Sequence, residues 1–366
     1  MSELVIVATD LYFAAGSLVA AAPNARLPGL ARMARFGTAE PLPHGWRSWL
    51  AAWLGLPQLT QAAPAPIAAL AAPRLLEPLG AASQAAQGTA QPASVWLADP
   101  LNLTPTLTSV HLSARGLLRI DATAQQELAQ AFNGAFAAVG YGLRAVRAGR
   151  FLATGPALCG RIDTTDPARY LGSTLSEALP RGEGAAGLRR LAGELEMWLH
   201  EHPINARRAG AGRAPISTLW LWGGGAPLRA ELNRNAQPTI AVFSDDAYVE
   251  GLSHLAGVRC APAPPDLAAL GARREPRIVA TLELFTTGES QGAAPAAPTP
   301  LSSLEALDRE WLLPALEQLA HGMRTHIALL ANDRCISLAA RDRWRLWRRP
   351  RQGLAVLAPP MRRAAP

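Results

Sequence analysis

The sequence contains no lysine, so all 35 of its basic residues are arginine. The choice of Arg over Lys therefore carries no information at any one position. Cysteine is nearly absent as well. Cys159, Cys260 and Cys335 stand apart and are odd in number, which excludes a disulfide framework and a paired-cysteine zinc site and fits a reducing cytoplasm. No run of 18 apolar residues occurs, so no membrane-spanning helix is predicted. The apolar N-terminal segment has Glu3 where a leader would be basic, and Asp10 interrupts it. It reads as a first strand, not a signal peptide.

Charge is scarce too, at 17% of residues against 49% apolar. With 366 residues the chain can build one large or two ordinary domains around a sizeable core. Eight Arg between 341 and 363, less Asp342, account for the whole net charge of +7. The remainder is neutral, so a nucleic-acid partner is not expected. In that tail Arg341, Arg343 and Arg345 alternate with Asp342, Trp344 and Leu346. This is the two-residue period of a strand with one packed and one solvated face.

The stretch from Leu199 to Pro227 organises the rest. Leu188, Leu191, Leu195, Trp198 and Leu199 share one helical face, and Pro203 ends that helix. A polar, basic loop over 200–213 follows, then a strand from Ile216 to Trp222 with only Ser217 and Thr218 polar. A near-continuous apolar strand is typical of a parallel sheet covered on both faces. Gly223, Gly224 and Gly225 come next and read as a sharp turn. They are not a dinucleotide fingerprint, since Leu228 stands where the third glycine belongs. Ligands of open α/β sheets bind beyond the carboxyl ends of the strands. Asn205, Arg207, Arg208, Trp222 and the three glycines are therefore the candidate binding residues, with the two arginines facing an anionic ligand. A solvated loop is the plainer reading.

Elsewhere Leu4–Thr9, Ser94–Pro100, Thr239–Phe243, Arg277–Phe285 and His326–Ala331 read as strands. Asp10 and Asp333 close two of them, each a candidate ligand or an ordinary turn former. Trp46, Trp49 and Trp53 form a helical stripe suited to core packing. Residues 61–93 are an Ala/Pro-rich connector with Leu75 and Leu76 as an anchor, and Thr123–Gln126 has capping-box spacing. Residues 288–303 form a second Pro/Ala/Gly-rich loop.

Thr154-Gly-Pro156, Asp163-Thr-Thr-Asp166-Pro167, His202-Pro-Ile-Asn205-Ala-Arg207 and Leu219-Trp-Leu-Trp-Gly223 occur in that order. In these segments the chain resembles the archaeal-type cofactor-independent phosphoglycerate mutases of the alkaline phosphatase superfamily. Trp96-Leu-Ala-Asp-Pro100 and Trp344–Arg349 resemble a proteobacterial branch of regulatory proteins, of the regulation-of-pathogenicity-factors E type. The resemblance implies an α/β fold: a mostly parallel, alkaline-phosphatase-like sheet flanked by helices, with an inserted α+β subdomain. Its core would comprise 1–104 and 205–350, the insertion 105–204, and the basic tail 351–366.

Active members of that family use two divalent metals (manganese, zinc or magnesium) and a phosphoryl-carrying Ser. Here Asp10 is not followed by Gly, Thr286–Gly292 lacks the expected Asp and His, and the Asp-His pair becomes Asp333-Arg334. Residues 11–90 hold no counterpart of the nucleophile loop. The expectation is a metal-free, non-catalytic cytoplasmic protein that binds an anionic small molecule or a regulatory protein partner. The alternative is an active mutase or metal-dependent phosphotransferase.

Overall fold

Five consecutive apolar residues, Leu4 to Ala8, make up most of β1 (Glu3–Ala8), and all five are buried. Leu4, Ile6 and Ala8 enter one core cluster while Val5 and Val7 enter another, because successive strand side chains alternate faces. A strand apolar on both sides needs cover on both, and the chain supplies it. The computed structural model describes residues 2–12, 26–71, 93–157, 160–228, 239–270, 275–285, 287–288, 300–345, 347–349 and 353–357.

The remaining strands are β2 (Thr38–Pro41), β3 (Ser94–Pro105), β4 (Val110–Arg119), β5 (Gly142–Ala145), β6 (Phe151–Gly155) and β7 (Ser173–Thr174). They continue with β8 (Thr218–Gly225), β9 (Ile240–Phe243), β10 (Cys260–Ala261), β11 (Arg277–Leu282), β12 (Thr287–Gly288), β13 (His326–Ala331) and β14 (Arg334–Ala339). Between them lie helices α1 (Pro28–Phe36), α2 (Gly45–Trp53), α3 (Pro64–Ala69), α4 (Ala122–Phe136) and α5 (Ala185–Glu201). Helices α6 (Pro203–Gly210), α7 (Ala247–Ala256), α8 (Pro300–Leu307) and α9 (Leu313–Ala320) complete the set.

The first sheet runs β10-β9-β11-β1-β13-β14-β2. From β10 to β13 every pairing is parallel; β14 is antiparallel to both of its neighbours. Helices α2, α3 and α7 cover one face, and α1, α8, α9 and the π-turn Asp308–Leu312 cover the other. This is a mixed α/β fold with a central, mostly parallel sheet. Asp308 reaches back from the π-turn to accept from Gly29 N at 3.0 Å and Leu30 N at 2.6 Å. It thereby caps α1, whose own N-cap Leu27 offers no side-chain acceptor.

The second sheet runs β12-β4-β3-β6-β5, with β7 on β4 and β8 on β3. Its pairings are antiparallel except β12 with β4. Here the structure corrects the expectation for Ser94–Pro100 and Ile216–Trp222. Both are strands, but they pair with each other in this antiparallel sheet, Leu97 opposite Trp222. Their apolar pattern arises because this sheet is also covered twice. Leu128, Phe132, Leu191 and Leu195 of α4 and α5 pack on one face, while Val95, Leu97 and Trp222 join the first sheet's core on the other. Burial on both faces does not require parallel strands.

Three local expectations change as well. The 200–213 loop is largely helix α6: Pro203 ends α5 but begins α6, and His202 Nδ1 accepts from Ile204 N at 3.2 Å. The cap of α4 is Asp121, accepting from Ala124 N at 3.0 Å, so Thr123 already lies inside the helix. The Arg-rich tail is a 3₁₀ turn over Ala340–Trp344, not a strand, because Asp342 turns back to accept from Ala339 N at 3.0 Å. Arg345 and Arg348 then donate to the carbonyls of Phe36 and Gly37 at the end of α1. Within the Ala/Pro-rich connector Pro64–Ala69 is helical, whereas Leu75 and Leu76 lie outside the described residues, as does most of the 288–303 loop. Among the described residues no helix is long and apolar enough to cross a membrane.

Candidate functional site

The carboxyl ends of the parallel strands carry acids: Asp10 after β1, Asp245 and Asp246 after β9, Glu283 after β11. The second sheet meets these ends with Asp99 on β3, Arg119 on β4, Trp222 on β8 and Arg150 just before β6. Arg150 is the hub. Its Nη1 donates to Asp246 Oδ2 at 2.7 Å, and its Nη2 lies 3.1 Å from Glu283 Oε1. Nε is 3.1 Å from Asp99 Oδ1 but off the N–H direction, so that contact is electrostatic and Nε makes no hydrogen bond. Arg119 donates to both Glu283 oxygens at 3.0 and 3.1 Å and to Asp99 Oδ1 at 3.3 Å. Trp222 Nε1 donates to the remaining Asp99 oxygen at 2.7 Å. Three carboxylates thus share two guanidinium groups. Burial works against the charge on Arg150, but Asp99, Glu283 and Asp246 outweigh it and raise its pKa well above the usual value.

Two further ion pairs tie the loop after β6 to the first sheet. Arg47 of α2 donates to Asp166 at 2.7 Å. Its guanidinium carbon lies 4.4 Å from the ring centre of Trp46, 4.7 Å from Trp222 and 5.9 Å from Tyr248. Despite burial, Asp166 and Asp246 raise its pKa. Arg169 grips Asp333 with both nitrogens at 2.5 and 2.8 Å and stacks 4.5 Å from the ring of Tyr12. Burial raises the Tyr12 phenol pKa although Arg169 pulls the other way.

The two acids first singled out are both engaged. Asp10 is buried, Oδ1 accepting from Leu284 N and Oδ2 from Phe285 N, each at 2.7 Å. Asp333 does not end an isolated strand. With Asn332 it forms the two-residue turn of the β13–β14 hairpin, at φ 54° and 49°, the geometry of a type I′ turn. Its carboxylate belongs to Arg169.

Of the candidate binding residues, the structure brings Trp222 into the charge network but not the others. Asn205 staples α5 to the segment leading into β8, donating to Leu199 O at 2.8 Å and Ile216 O at 2.9 Å and accepting from Ile216 N at 2.8 Å. Arg207 pairs with Glu127 at the surface, and buried Arg208 donates to Ala214 O at 2.8 Å. These residues precede β8, whereas Gly223, Gly224 and Gly225 end it, about 25 Å away at ~3.3 Å per residue. Nor do the glycines form a sharp turn; they complete the strand through a bulge against β3. Gly223 takes φ +62° and donates to Thr164 Oγ1 at 2.9 Å. Gly224 lies against Trp96, where a Cβ would stand 2.0 Å from the ring. Close packing explains the run.

Sequence reasoning missed Arg47, Arg119, Arg150, Arg169 and Glu283. The available signal was Arg119 and Arg150 beside apolar strand segments, Leu117-Leu118 and Phe151-Leu152, since buried arginines need buried acids.

A two-metal centre needs several free carboxylate or imidazole donors for each ion. Among the described residues no group of three or more His, Cys, Asp or Glu can hold a metal ion. The strand-end acids Asp10, Asp246 and Glu283 instead face backbone N–H groups and guanidinium groups. The described residues do not fit such a centre.

No protein-family profile matches the chain. Over 126 residues, 34% of this chain, it is 32% identical to a probable 2,3-bisphosphoglycerate-independent phosphoglycerate mutase of Geobacter sulfurreducens, covering 31% of that protein. Over 127 residues, again 34% of the chain, it is 31% identical to the 2,3-bisphosphoglycerate-independent phosphoglycerate mutase of Methanothrix thermoacetophila, covering 32% of it. The matched segment spans about a third of the length of these curated relatives. Among solved structures, the cofactor-independent phosphoglycerate mutase of Thermoplasma acidophilum superposes with a TM-score of 0.37 at 16% identity, over 93% of this chain and 90% of that one. The PH0037 protein of Pyrococcus horikoshii gives 0.43 at 13%, over 92% and 87%.

Proposed function

We propose that this chain is a phosphoglycerate-mutase-like protein that has exchanged metal-dependent phosphoryl transfer for a regulatory, binding role. One observation carries the reading. Of the carboxylates at the strand ends, Asp246 and Glu283 are neutralised by Arg150 and Arg119, and Asp10 is held by two backbone N–H groups. A guanidinium supplies fixed charge and directed hydrogen bonds. It supplies no open coordination position to polarise a phosphoryl oxygen or to lower the pKa of bound water. On this reading the network holds the two sheets in register and the surface does the work, by engaging an anionic small molecule or a regulatory protein partner. Of the residues first considered for that role, Arg207 is the accessible one.

The test is elemental analysis of the purified protein combined with an assay for interconversion of 2- and 3-phosphoglycerate, with and without added manganese. The expected result is no stoichiometric metal and no rate above background. A manganese-dependent rate that disappears in Asp10→Asn would overturn the proposal.

A further inference from the structure

Four buried side-chain polar atoms have no hydrogen-bond partner among the described residues, and three of them belong to one cluster: Tyr12 Oη, Trp46 Nε1 and Arg47 Nε. Tyr12 follows β1, and Trp46 and Arg47 open α2. The Arg47 guanidinium lies 4.4 Å from the Trp46 ring centre and acts electrostatically on the Tyr12 phenol. Gly45 brings the start of α2 against the Arg169–Asp333 pair, since a Cβ there would stand 3.2 Å from Arg169 Nη2 and 3.4 Å from Asp333 Oδ1. Arg169 in turn covers the Tyr12 ring. Bulk water does not reach the two aromatic side chains, with Tyr12 5% and Trp46 3% exposed.

The unmet atoms are of one kind. Trp Nε1–H and Arg Nε–H can only donate, and the Tyr hydroxyl can donate as well. A buried donor without an acceptor forfeits the hydrogen bond it had in water. The carboxylates nearby are already engaged: Asp166 by Arg47 Nη1 and the Ala168 N–H, Asp333 by Arg169, and Asp246 by Arg150 and the first turn of α7. Each of these three acids has its own guanidinium, so their charges cancel and do not repel an anion. A water molecule would meet the donors but lack acceptors for its own hydrogens. A small acceptor without hydrogens suits all three.

We propose that Tyr12, Trp46 and Arg47 bind a halide ion between the end of β1 and the start of α2. The ion accepts from the Tyr12 hydroxyl, Trp46 Nε1–H and Arg47 Nε–H, and so ties the two elements together. A halide here neither requires nor excludes catalysis.

Thermal melting of the full chain in sodium bromide tests it, against sodium gluconate at the same ionic strength of about 0.15 M, so that screening is equal. The melting temperature is expected to rise with bromide and level off as one site fills, with chloride behaving alike. Tyr12→Phe, which removes only the hydroxyl, is expected to weaken bromide binding about tenfold, the scale of one hydrogen bond to a charged group. Trp46→Phe is expected to weaken it similarly. In gluconate Tyr12→Phe is expected to melt no lower than the wild type, because the hydroxyl it removes has no partner; a merely structural hydroxyl would lower the melting temperature in both salts. Trp49→Phe, at a ring that stacks on Trp53 instead, is expected to keep the wild-type bromide response. No saturable response to bromide, an unchanged response in Tyr12→Phe and Trp46→Phe, or a lost response in Trp49→Phe would each overturn the proposal.

Discussion

Arg150 donates to Asp246 at 2.7 Å, and the same carboxylate caps α7 by accepting from Tyr248 N at 2.8 Å. One side chain of the first sheet thus fixes both its own helix and the approach of the second sheet. Arg150→Met leaves buried Asp99 and Asp246 and half-buried Glu283 with only Arg119 among the network's cations. Removing one partner of a buried pair costs about 3–5 kcal/mol, and urea denaturation at neutral pH is expected to show a loss of that order. Arg150→Lys is not expected to restore it, because one ammonium cannot span three carboxylates as a planar fork does. A loss below about 1 kcal/mol, the worth of a surface pair, would contradict the hub role.

Asp10 is expected to behave as a structural acceptor. Asp10→Ala strands the part-buried N–H of Leu284 and the buried N–H of Phe285, and is expected to cost roughly 2–4 kcal/mol. Asp10→Asn keeps one acceptor oxygen and loses less. The melting temperature of the wild type is expected not to move with manganese or a chelator; a manganese-dependent rise would place a ligand role back on this carboxylate.

Glycines provide a paired test. Gly224→Ala drives a methyl into the Trp96 ring and is expected to destabilise by about 1–3 kcal/mol, the usual cost of overpacking. Gly193, inside α5, has no atom within 4 Å of its Cβ position. Gly193→Ala is expected to stabilise by about 0.5–1 kcal/mol through helix propensity. Chemical denaturation of the two variants should move in opposite directions.

Asp121 carries a pH signature. The N–H of Ala124 and the nearby Arg213 hold its carboxyl below the usual range, against a smaller burial effect. A depressed acid contributes stability above its unfolded pKa and loses it as the pH falls through the folded value. Asp121→Ala is expected to cost about 1 kcal/mol at neutral pH, as lost caps do. The gap between wild type and variant is expected to close on acidification below about pH 4. A gap independent of pH would show that the cap acts without its charge.

The parallel core was legible because its signals are local. Five apolar residues mark β1, and runs such as Ile278–Leu282 and Ile327–Ala331 mark its neighbours. Sheet membership was not legible, since Leu97 meets Trp222 and composition does not say across which gap strands pair. The charge network was hidden for the same reason. Arg119 finds Asp99 20 residues away and Glu283 164 residues away, and each residue alone looks like a surface charge. At Asn332-Asp333 a local hairpin signature was present, but analogy with a metal ligand obscured it. The basic loop and glycine run, adjacent in sequence, proved to be opposite ends of one strand.

The position of β1 sets a schedule for synthesis. Its partners are β11 and β13, with Leu4 beside Ile278 and Ile327. At ribosomal rates of ~5–20 residues per second, β13 emerges roughly 15–60 s after β1. Until β11 is made this apolar strand has neither neighbour, and an unpaired apolar strand is a template for aggregation. Shelter of β1 during synthesis is therefore needed until β11 and β13 can pair with it.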